Sequence, residues 1–228
     1  MKILFWNLRR LGEGSDDGRK AAINQVRKSA APDFTLLCEL VSTCTYPPAT
    51  NLSYRKPNAY QLCYGCIDSK GDFIEITREL PLVTDEYRQA GFKGQNDFSQ
   101  LADRALGYVG QLEDGTHVYM LHAPAGSSSA KKAVSFVACW LHSLYGANER
   151  WILIGDLNVE PDALEASNVG IMLEDYIIEP AEPTYIGRNK NKTLDYALAN
   201  FEATVVRARV SPRFHGSDHY PIIVEWES

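Results

Sequence analysis

Short apolar runs separated by polar punctuation dominate the chain, and their spacing predicts strands more often than helices. Lys2 to Asn7 is a run of buried-strand type, and Asp17 to Ser29 sets Ala21, Ala22, Ile23 and Val26 along one side of a helix. Pro32-Asp33 opens a second strand, Phe34 to Leu40, with Glu39 at its polar end. Residues 41 to 58, with Pro47, Pro48 and Pro57, read as an irregular excursion. Tyr60 to Asp68 and Asp72 to Glu79 give a hairpin signal across Ser69-Lys70-Gly71. Residues 81 to 103 are polar and loop-like, and Arg104 to Leu112 with Thr116 to His122 reads as a hairpin turned by Glu113-Asp114-Gly115.

The next stretch predicts a helix from Ser127 to about Tyr145, capped by Ser127 or Ser128, with Val134, Val137, Ala138, Leu141 and Leu144 as its packed face. Trp151 to Leu157 is a fully apolar strand leading into Gly155-Asp156-Leu157-Asn158, and Glu160 to Asn168 is a short helix with Pro161 in its first turn. Thr193 to Ala199, Ala203 to Val210 and Tyr220 to Trp226 complete the strands. So many strands are apolar on both faces that two sheets are needed, packed face to face with helices outside. With no internal repeat or low-complexity linker, residues 1–228 are read as a single domain.

Composition narrows the class. The chain has 228 residues, 45% of them hydrophobic and 23% charged, which suits one folded domain and argues against disorder or a fibrous repeat. No run is long and apolar enough for a membrane span. Lys and Arg number 23 against 29 Asp and Glu, a net charge of -6, which is unlike a module that grips nucleic acid through many phosphates. It is compatible with phosphate chemistry through a bound cation, which carboxylates would hold. The segment Met1 to Asn7 is too short and turns polar too soon for a secretory signal, so a cytoplasmic location is the default. Of the five cysteines, Cys63 and Cys66 form a C-x-x-C inside an apolar run, with no second pair to complete a zinc site, and read as buried strand thiols.

Candidate chemistry lies where the strands end. Asn7, Glu39, His122, Asp156 and Asn158 fall at or just after such ends, Asp195 lies within a strand, and Asp218-His219 precedes one. Taken singly, such residues are ordinarily turn formers or caps. Asp195 is harder to dismiss, because a carboxylate within Leu194-Asp195-Tyr196-Ala197-Leu198 is costly to bury without a His or Arg partner. Together they supply hard oxygen ligands, two amides and two imidazoles. This set favours Mg²⁺ or Mn²⁺ over zinc and suits hydrolysis of a phosphate ester.

Trp6-Asn7, Cys38-Glu39, Leu121-His122, Gly155-Asp156-Leu157-Asn158, Thr193-Leu194-Asp195-Tyr196 and Gly216-Ser217-Asp218-His219-Tyr220-Pro221 resemble, in this order, the endonuclease/exonuclease/phosphatase superfamily typified by deoxyribonuclease I. Within it, Asp103-Arg104-Ala105-Leu106-Gly107 and Val159-Glu160-Pro161 add a likeness to the catalytic subunits of cytolethal distending toxins. The resemblance implies an α/β fold, a four-layer sandwich of two mixed β-sheets with helices outside. It implies a divalent metal, Mg²⁺ or Mn²⁺, held by Glu39 with Asn7 and Asp218. It implies that Asp156 orients the attacking water, that Asn158 binds phosphate, that His122 and His219 flank the scissile phosphate, and that Asp195 orients His219. Asn7 and Arg104 would also meet phosphate. Around Asn58-Ala59-Tyr60, where deoxyribonuclease I has an acidic residue orienting the first imidazole, this chain offers no carboxylate.

The resulting expectation is a monomeric Mg²⁺-dependent phosphodiesterase that cuts DNA, with a phosphoinositide or other phosphate-ester phosphatase as the alternative and an inactive scaffold behind both. A toxin-like chain would bring companion delivery subunits and secretion into view. Arg9-Arg10 and Arg188 to Lys192 lie beside the site in sequence and could grip phosphates locally, whereas Val159 stands where such nucleases often carry a polar or basic residue.

Overall fold

Alternation of side chains along the strands is what sorts this chain into layers. The computed structural model describes residues 1–11, 17–41, 44, 62–82, 105–166, 176–187, 190–210 and 217–228. In β1 (Lys2–Leu11), Ile3 and Phe5 face one way while Leu4 and Trp6 face the other, and all four are buried. A strand buried on both faces needs a layer on each side. Helix α1 (Asp17–Ala30) supplies one, packing Ala22, Ile23 and Val26 onto Leu4, Trp6 and Leu37. A second sheet supplies the other.

The first sheet runs β13-β14-β1-β2-β3-β4, with β2 at Phe34–Val41, β3 at Leu62–Asp68, β4 at Phe73–Ile74, β13 at Thr204–Arg207 and β14 at Ile222–Glu225. The second runs β5-β6-β7-β8-β12-β9, with β5 at Thr77–Glu79, β6 at Leu106–Gln111, β7 at His117–His122, β8 at Trp151–Asp156, β9 at Ile177–Ile178 and β12 at Asp195–Ala199. Both sheets are mixed: β1 is parallel to β2 and antiparallel to β14, and β7 is parallel to β8 while β12 is antiparallel to it. Val118, Met120, Ile152, Ile154 and Ala197 meet Ile3, Phe5, Leu36 and Cys38 between the sheets. Tyr119, Leu121, Trp151 and Leu153 turn outward onto α2 (Ser127–Tyr145). The order helix, sheet, sheet, helix is the four-layer sandwich expected. No helix among the described residues is long and apolar enough to cross a membrane.

Several boundaries differ from expectation. The strand expected at Asp72 to Glu79 is two, β4 and β5, which belong to different sheets. Between them Ile76 plunges into the inter-sheet core, and the chain steps from one sheet to the other. Helix α2 is preceded by Gly126 with a φ of 103°, not by a capping serine, and no side chain caps it. Its packed face includes Val134, Val137, Ala138 and Leu141 but not Leu144, which is 52% exposed; Tyr145 packs there instead, one full turn after Leu141. The short helix is α3 (Pro161–Glu165), and residues 167–175 lie outside those described, as do 45–61 and 83–104. Strand β12 starts at Asp195, which therefore sits at a strand end and not within it. A small hairpin, β10 (Tyr185–Ile186) with β11 (Asn191–Lys192), was not apparent from the pattern.

The free cysteines Cys38, Cys44, Cys66 and Cys139 are buried, which agrees with the reading of Cys66 as a buried strand thiol, while the side chain of Cys63 lies outside those described. Burial, with a smaller contribution from Asp68, pushes the Cys66 thiol up to about 12, so it is inert near neutrality.

At Gly155 the neighbouring strand leaves no room for a side chain. This glycine pairs with Leu121 across the parallel β7–β8 ladder, and a Cβ placed on it would lie 1.8 Å from the Leu121 carbonyl oxygen. No side chain fits without forcing the two strands apart. Gly155→Ala is therefore expected to destabilise the protein by about 3 kcal/mol, which for a chain this size lowers the melting midpoint by roughly 6–12 °C. Thermal unfolding followed by circular dichroism checks this, and an unchanged midpoint would contradict the packing described.

Candidate functional site

The inward-facing positions of the core strands continue, at one end of the sandwich, as polar residues. Asn7 follows Ile3 and Phe5 in phase on β1, His122 follows Val118 and Met120 on β7, Asp156 follows Ile152 and Ile154 on β8, and Asp195 precedes Ala197 and Ala199 on β12. All four are buried. Because β7 and β8 are parallel in the register His122↔Asp156, and β12 is antiparallel to β8 with Asp195↔Asp156, three strands of one sheet deliver their polar ends side by side.

Glu39 is out of phase with this pattern, since Leu37, two residues earlier, packs outward beneath α1. A register shift in the β2–β3 ladder between Leu37 and Leu40 corrects it, with Glu39 at a φ of 57°. A bulge of this kind re-aims one side chain at the cost of local strain. Arg9, at a φ of 45°, lies in a similar shift on β1 between Asn7 and Leu11, and Asn158 just beyond β8 has a φ of 52°. Left-handed backbone is uncommon outside glycine and best tolerated by Asn or Asp. Three such residues around one pocket mark it as a place where the fold accepts strain for position.

The side chains form one connected network. Asn7 donates from Nδ2 to Asp156 Oδ2 at 2.8 Å. His122 Nε2 stands 3.5 Å from Glu39 Oε1 and 3.6 Å from Asp156 Oδ2, and His219 Nε2 is 3.7 Å from that same Asp156 oxygen. His219 Nδ1 and Asp195 Oδ2 are 2.7 Å apart, a short charge-assisted hydrogen bond. Asn158 donates its backbone N–H to Asp156 Oδ1 at 3.1 Å and its side-chain amide to the Ala123 carbonyl at 3.0 Å, leaving the second amide proton for another acceptor.

Supporting residues hold these groups in place. Ser217 donates from Oγ to the Asn7 carbonyl and accepts the His219 N–H, and Trp6 Nε1 donates to the His219 carbonyl at 2.9 Å. Buried Thr184 accepts the N–H groups of both Leu194 and Asp195 on its Oγ1. The Tyr185 ring lies 5.0 Å from that of His219. Trp6 and Ser217 belong to motifs that drew attention in the sequence, but nothing there singled out Thr184 or Tyr185.

Electrostatics follow from burial and neighbours. Burial pushes the Asp156 carboxyl up to about 7, with Asp195 and Glu39 adding to the rise while His219 and the Asn7 hydrogen bond oppose it. Burial alone would lower the pKa of His219, but Asp195 and Asp156 outweigh it and lift the imidazole to about 10. One site thus holds a carboxyl able to exchange a proton near neutrality beside an imidazolium that keeps its own.

Asp156, Asp195 and His219 offer ligand atoms within 4.8 Å of one another and could hold a metal ion. His219 Nδ1 and Asp195 Oδ2 are already committed to each other, which suits an orienting pair better than two ligands. Asp195 Oδ1 is buried with no hydrogen-bond partner. Asp218, expected as a ligand, has Oδ2 3.1 Å from Arg9 Nη1, so a cation there would compete with the guanidinium. Lys190 and Lys192 reach Glu160 at 3.7 and 3.8 Å. Arg104, Arg188 and the stretch Asn58 to Tyr60 lie outside the described residues.

A model of the endonuclease/exonuclease/phosphatase family matches residues 4–219 of this chain. No curated protein matches it. Among solved structures it is similar to the Haemophilus ducreyi cytolethal distending toxin, at 15% identity and a TM-score of 0.61, covering 98% of this chain and 96% of that one. It is equally similar to a mannosyl-6-phosphatase of Bacteroides thetaiotaomicron, at 15% identity and a TM-score of 0.61 over 99% and 98% of the two chains. The human nocturnin catalytic domain with bound sulfate follows at 15% identity and a TM-score of 0.60, over 98% and 93%. At such identities the structural likeness shows the fold alone, here the deoxyribonuclease I-like sandwich. The match of the family model over nearly the whole length goes further, and by it the chain belongs to the endonuclease/exonuclease/phosphatase family.

Proposed function

We propose that this chain is a divalent-metal-dependent phosphoesterase that hydrolyses phosphodiester bonds in DNA by attack of an activated water, working as a single-domain monomer. The observation that carries the reading is the convergence of Asn7, His122 and His219 on one oxygen of buried Asp156, with Asp195 behind His219. The donor set fits a metal. Partly exposed Glu39 with buried Asp156 and Asp195 sets three carboxylates against two imidazoles, and such an excess of carboxylate is an arrangement a hard cation relieves. Glu39 would hold Mg²⁺ or Mn²⁺ with the oxygens of Asn7 and Asp218. Once bound, the ion supplies positive charge to the phosphoryl oxygens.

The chain's own residues do the rest. Asp156 orients water and accepts its proton, a task suited to a carboxyl whose pKa lies near 7. Asn158 directs its remaining amide proton at a phosphate oxygen. His219, held protonated and oriented by Asp195, offsets the charge that builds in the transition state, with His122 opposite. Arg104 would add a further phosphate contact.

One observation favours a second substrate, a phosphoinositide or other small phosphate ester. Arg9, Lys190 and Lys192, cations beside the site, are each paired with a carboxylate and so are poorly placed to track a long backbone. The mannosyl-6-phosphatase named among the similar structures keeps that class in view.

Purified protein incubated with supercoiled plasmid and with a phosphoinositide panel, in Mg²⁺ or EDTA, separates these readings. Nicking that requires Mg²⁺ is expected, and His219→Ala should lower its rate about 10²–10⁴-fold. Phosphate release without nicking would move the assignment to the second substrate class, and a folded protein silent in both assays would be a scaffold. Asp195→Asn is expected to lower kcat about 10²-fold and to change the pH profile in one direction. Activity that needs His219 protonated is lost as pH rises through its pKa, about 10 in the native chain. Without the Asp195 charge that limb moves to lower pH, and a pH–rate profile of the variant with an unmoved alkaline limb would remove Asp195 from this role.

A further inference from the structure

The hydroxyl of Tyr64 stands between two strands to which it does not belong. Tyr64 lies on β3 of the first sheet, and its ring crosses the inter-sheet core. On the far side, the β6–β7 ladder is in register at Leu106↔Leu121. One residue further, Ala105 and His122 would form the next rung. Instead the His122 N–H donates to the Tyr64 hydroxyl at 2.8 Å, and that hydroxyl donates to the Ala105 carbonyl at 2.7 Å. All three residues are buried. A side chain from the opposite sheet is therefore inserted where a direct N–H···O=C bond would otherwise close.

The ring is fitted to this place. A Cβ on Gly107 would meet Tyr64 Cδ2 at 3.3 Å and Ile76 Cγ2 at 2.8 Å, so the absence of a side chain at 107 is what leaves room for the ring to pass. His122 is the last residue of β7, and its imidazole comes within 3.5 Å of Glu39 and 3.6 Å of Asp156. Small displacements of this backbone end move the imidazole directly.

We propose that Tyr64 is a positioning residue whose hydroxyl holds the β6–β7 ladder open by one rung and so sets where His122 stands. The inference rests on the phosphoesterase reading above. Removing the hydroxyl leaves a buried N–H and a buried carbonyl without their partner, and such groups seek a replacement. Each is the other's nearest substitute. The ladder then closes by a rung and draws the end of β7, with His122, toward Ala105.

Tyr64→Phe keeps the ring and its packing and removes only the oxygen. Steady-state kinetics in Mg²⁺ with bis(4-nitrophenyl) phosphate and 4-nitrophenyl phosphate would be compared for the wild type, Tyr64→Phe, His122→Ala and the double variant, each first checked for cooperative melting. The expected result for Tyr64→Phe is a fall in kcat of about ten- to hundredfold with KM within about twofold of wild type. In the His122→Ala background the same change should cost nothing more, because the hydroxyl acts through that imidazole. An unaltered kcat with only a lower melting midpoint, an equal loss in both backgrounds, or a Tyr64→Phe chain that does not fold each overturns the proposal. A wild type inactive on both esters overturns the phosphoesterase reading and this inference with it, whereas an active wild type with unimpaired Tyr64→Phe sinks only the positioning role.

Discussion

A carboxylate buried at the mouth of an apolar core has to be answered by other side chains, and Asp156 is that carboxylate. It sits at the end of β8, in phase with Ile152 and Ile154, where desolvation penalises its charge. Its own strand cannot satisfy it. Asn7 comes from the other sheet, His122 and His219 from strands and turns far away in sequence, and Asn158 from the turn that follows. The two sheets must meet in one particular relative position for these contacts to form. The same inter-sheet core that gives the fold its burial thus fixes the geometry of the pocket.

Strand parity accounts for most of the pocket, and local strain supplies the remainder. Parity brings Asn7, His122, Asp156 and Asp195 inward without special backbone. It would send Glu39 outward beneath α1, and only the bulge with its positive φ returns it. Asn158 and Arg9 are held in the same left-handed region. Such conformations cost of order 1–3 kcal/mol each and persist only where surrounding contacts over-determine them. Here the surroundings are identifiable: the Arg9 N–H donates to Asn7 Oδ1, the Asn158 N–H to Asp156 Oδ1, and Arg19 Nη1 braces the Leu8 and Arg9 carbonyls.

What the sequence makes legible follows the same division. Strands such as β1, β7 and β8 are long apolar runs with polar ends, so both the elements and the candidate site residues at their ends can be read from pattern, and α2 from Ser127 to Tyr145 follows its 3.6-residue period. Tertiary events carry no periodic mark. Nothing in Asp72 to Glu79 announces that Ile76 turns into the core and sends the chain to the other sheet, because two short edge strands look like one longer strand. The need for glycine at 155 arises from a neighbouring strand and at 107 partly from a tyrosine in the opposite sheet. Thr184 acts through its hydroxyl on two backbone groups ten and eleven residues away, and Tyr64 on groups still more distant. Contacts of that range leave no trace in local propensity.

The charge distribution around the pocket bears on how a substrate is met. The net charge of -6 suggests an unfavourable field for phosphate, but much of the acid near the site is already spoken for. Asp195 is committed to His219, Asp218 faces Arg9, and Glu160 faces Lys190 and Lys192. Among the described residues these charges form local pairs, and such pairs produce short-ranged fields that salt screens within about 8 Å. A broad positive funnel of the kind that steers polyanions from a distance is absent among the described residues. Among the described residues, the groups suited to meeting a phosphate act at contact range: hydrogen-bond donors such as the Asn158 amide and the His219 imidazole, and any cation that the carboxylates hold. On the phosphoesterase reading proposed above, the Tyr185 ring beside His219 is one of the groups that would border the reacting phosphate.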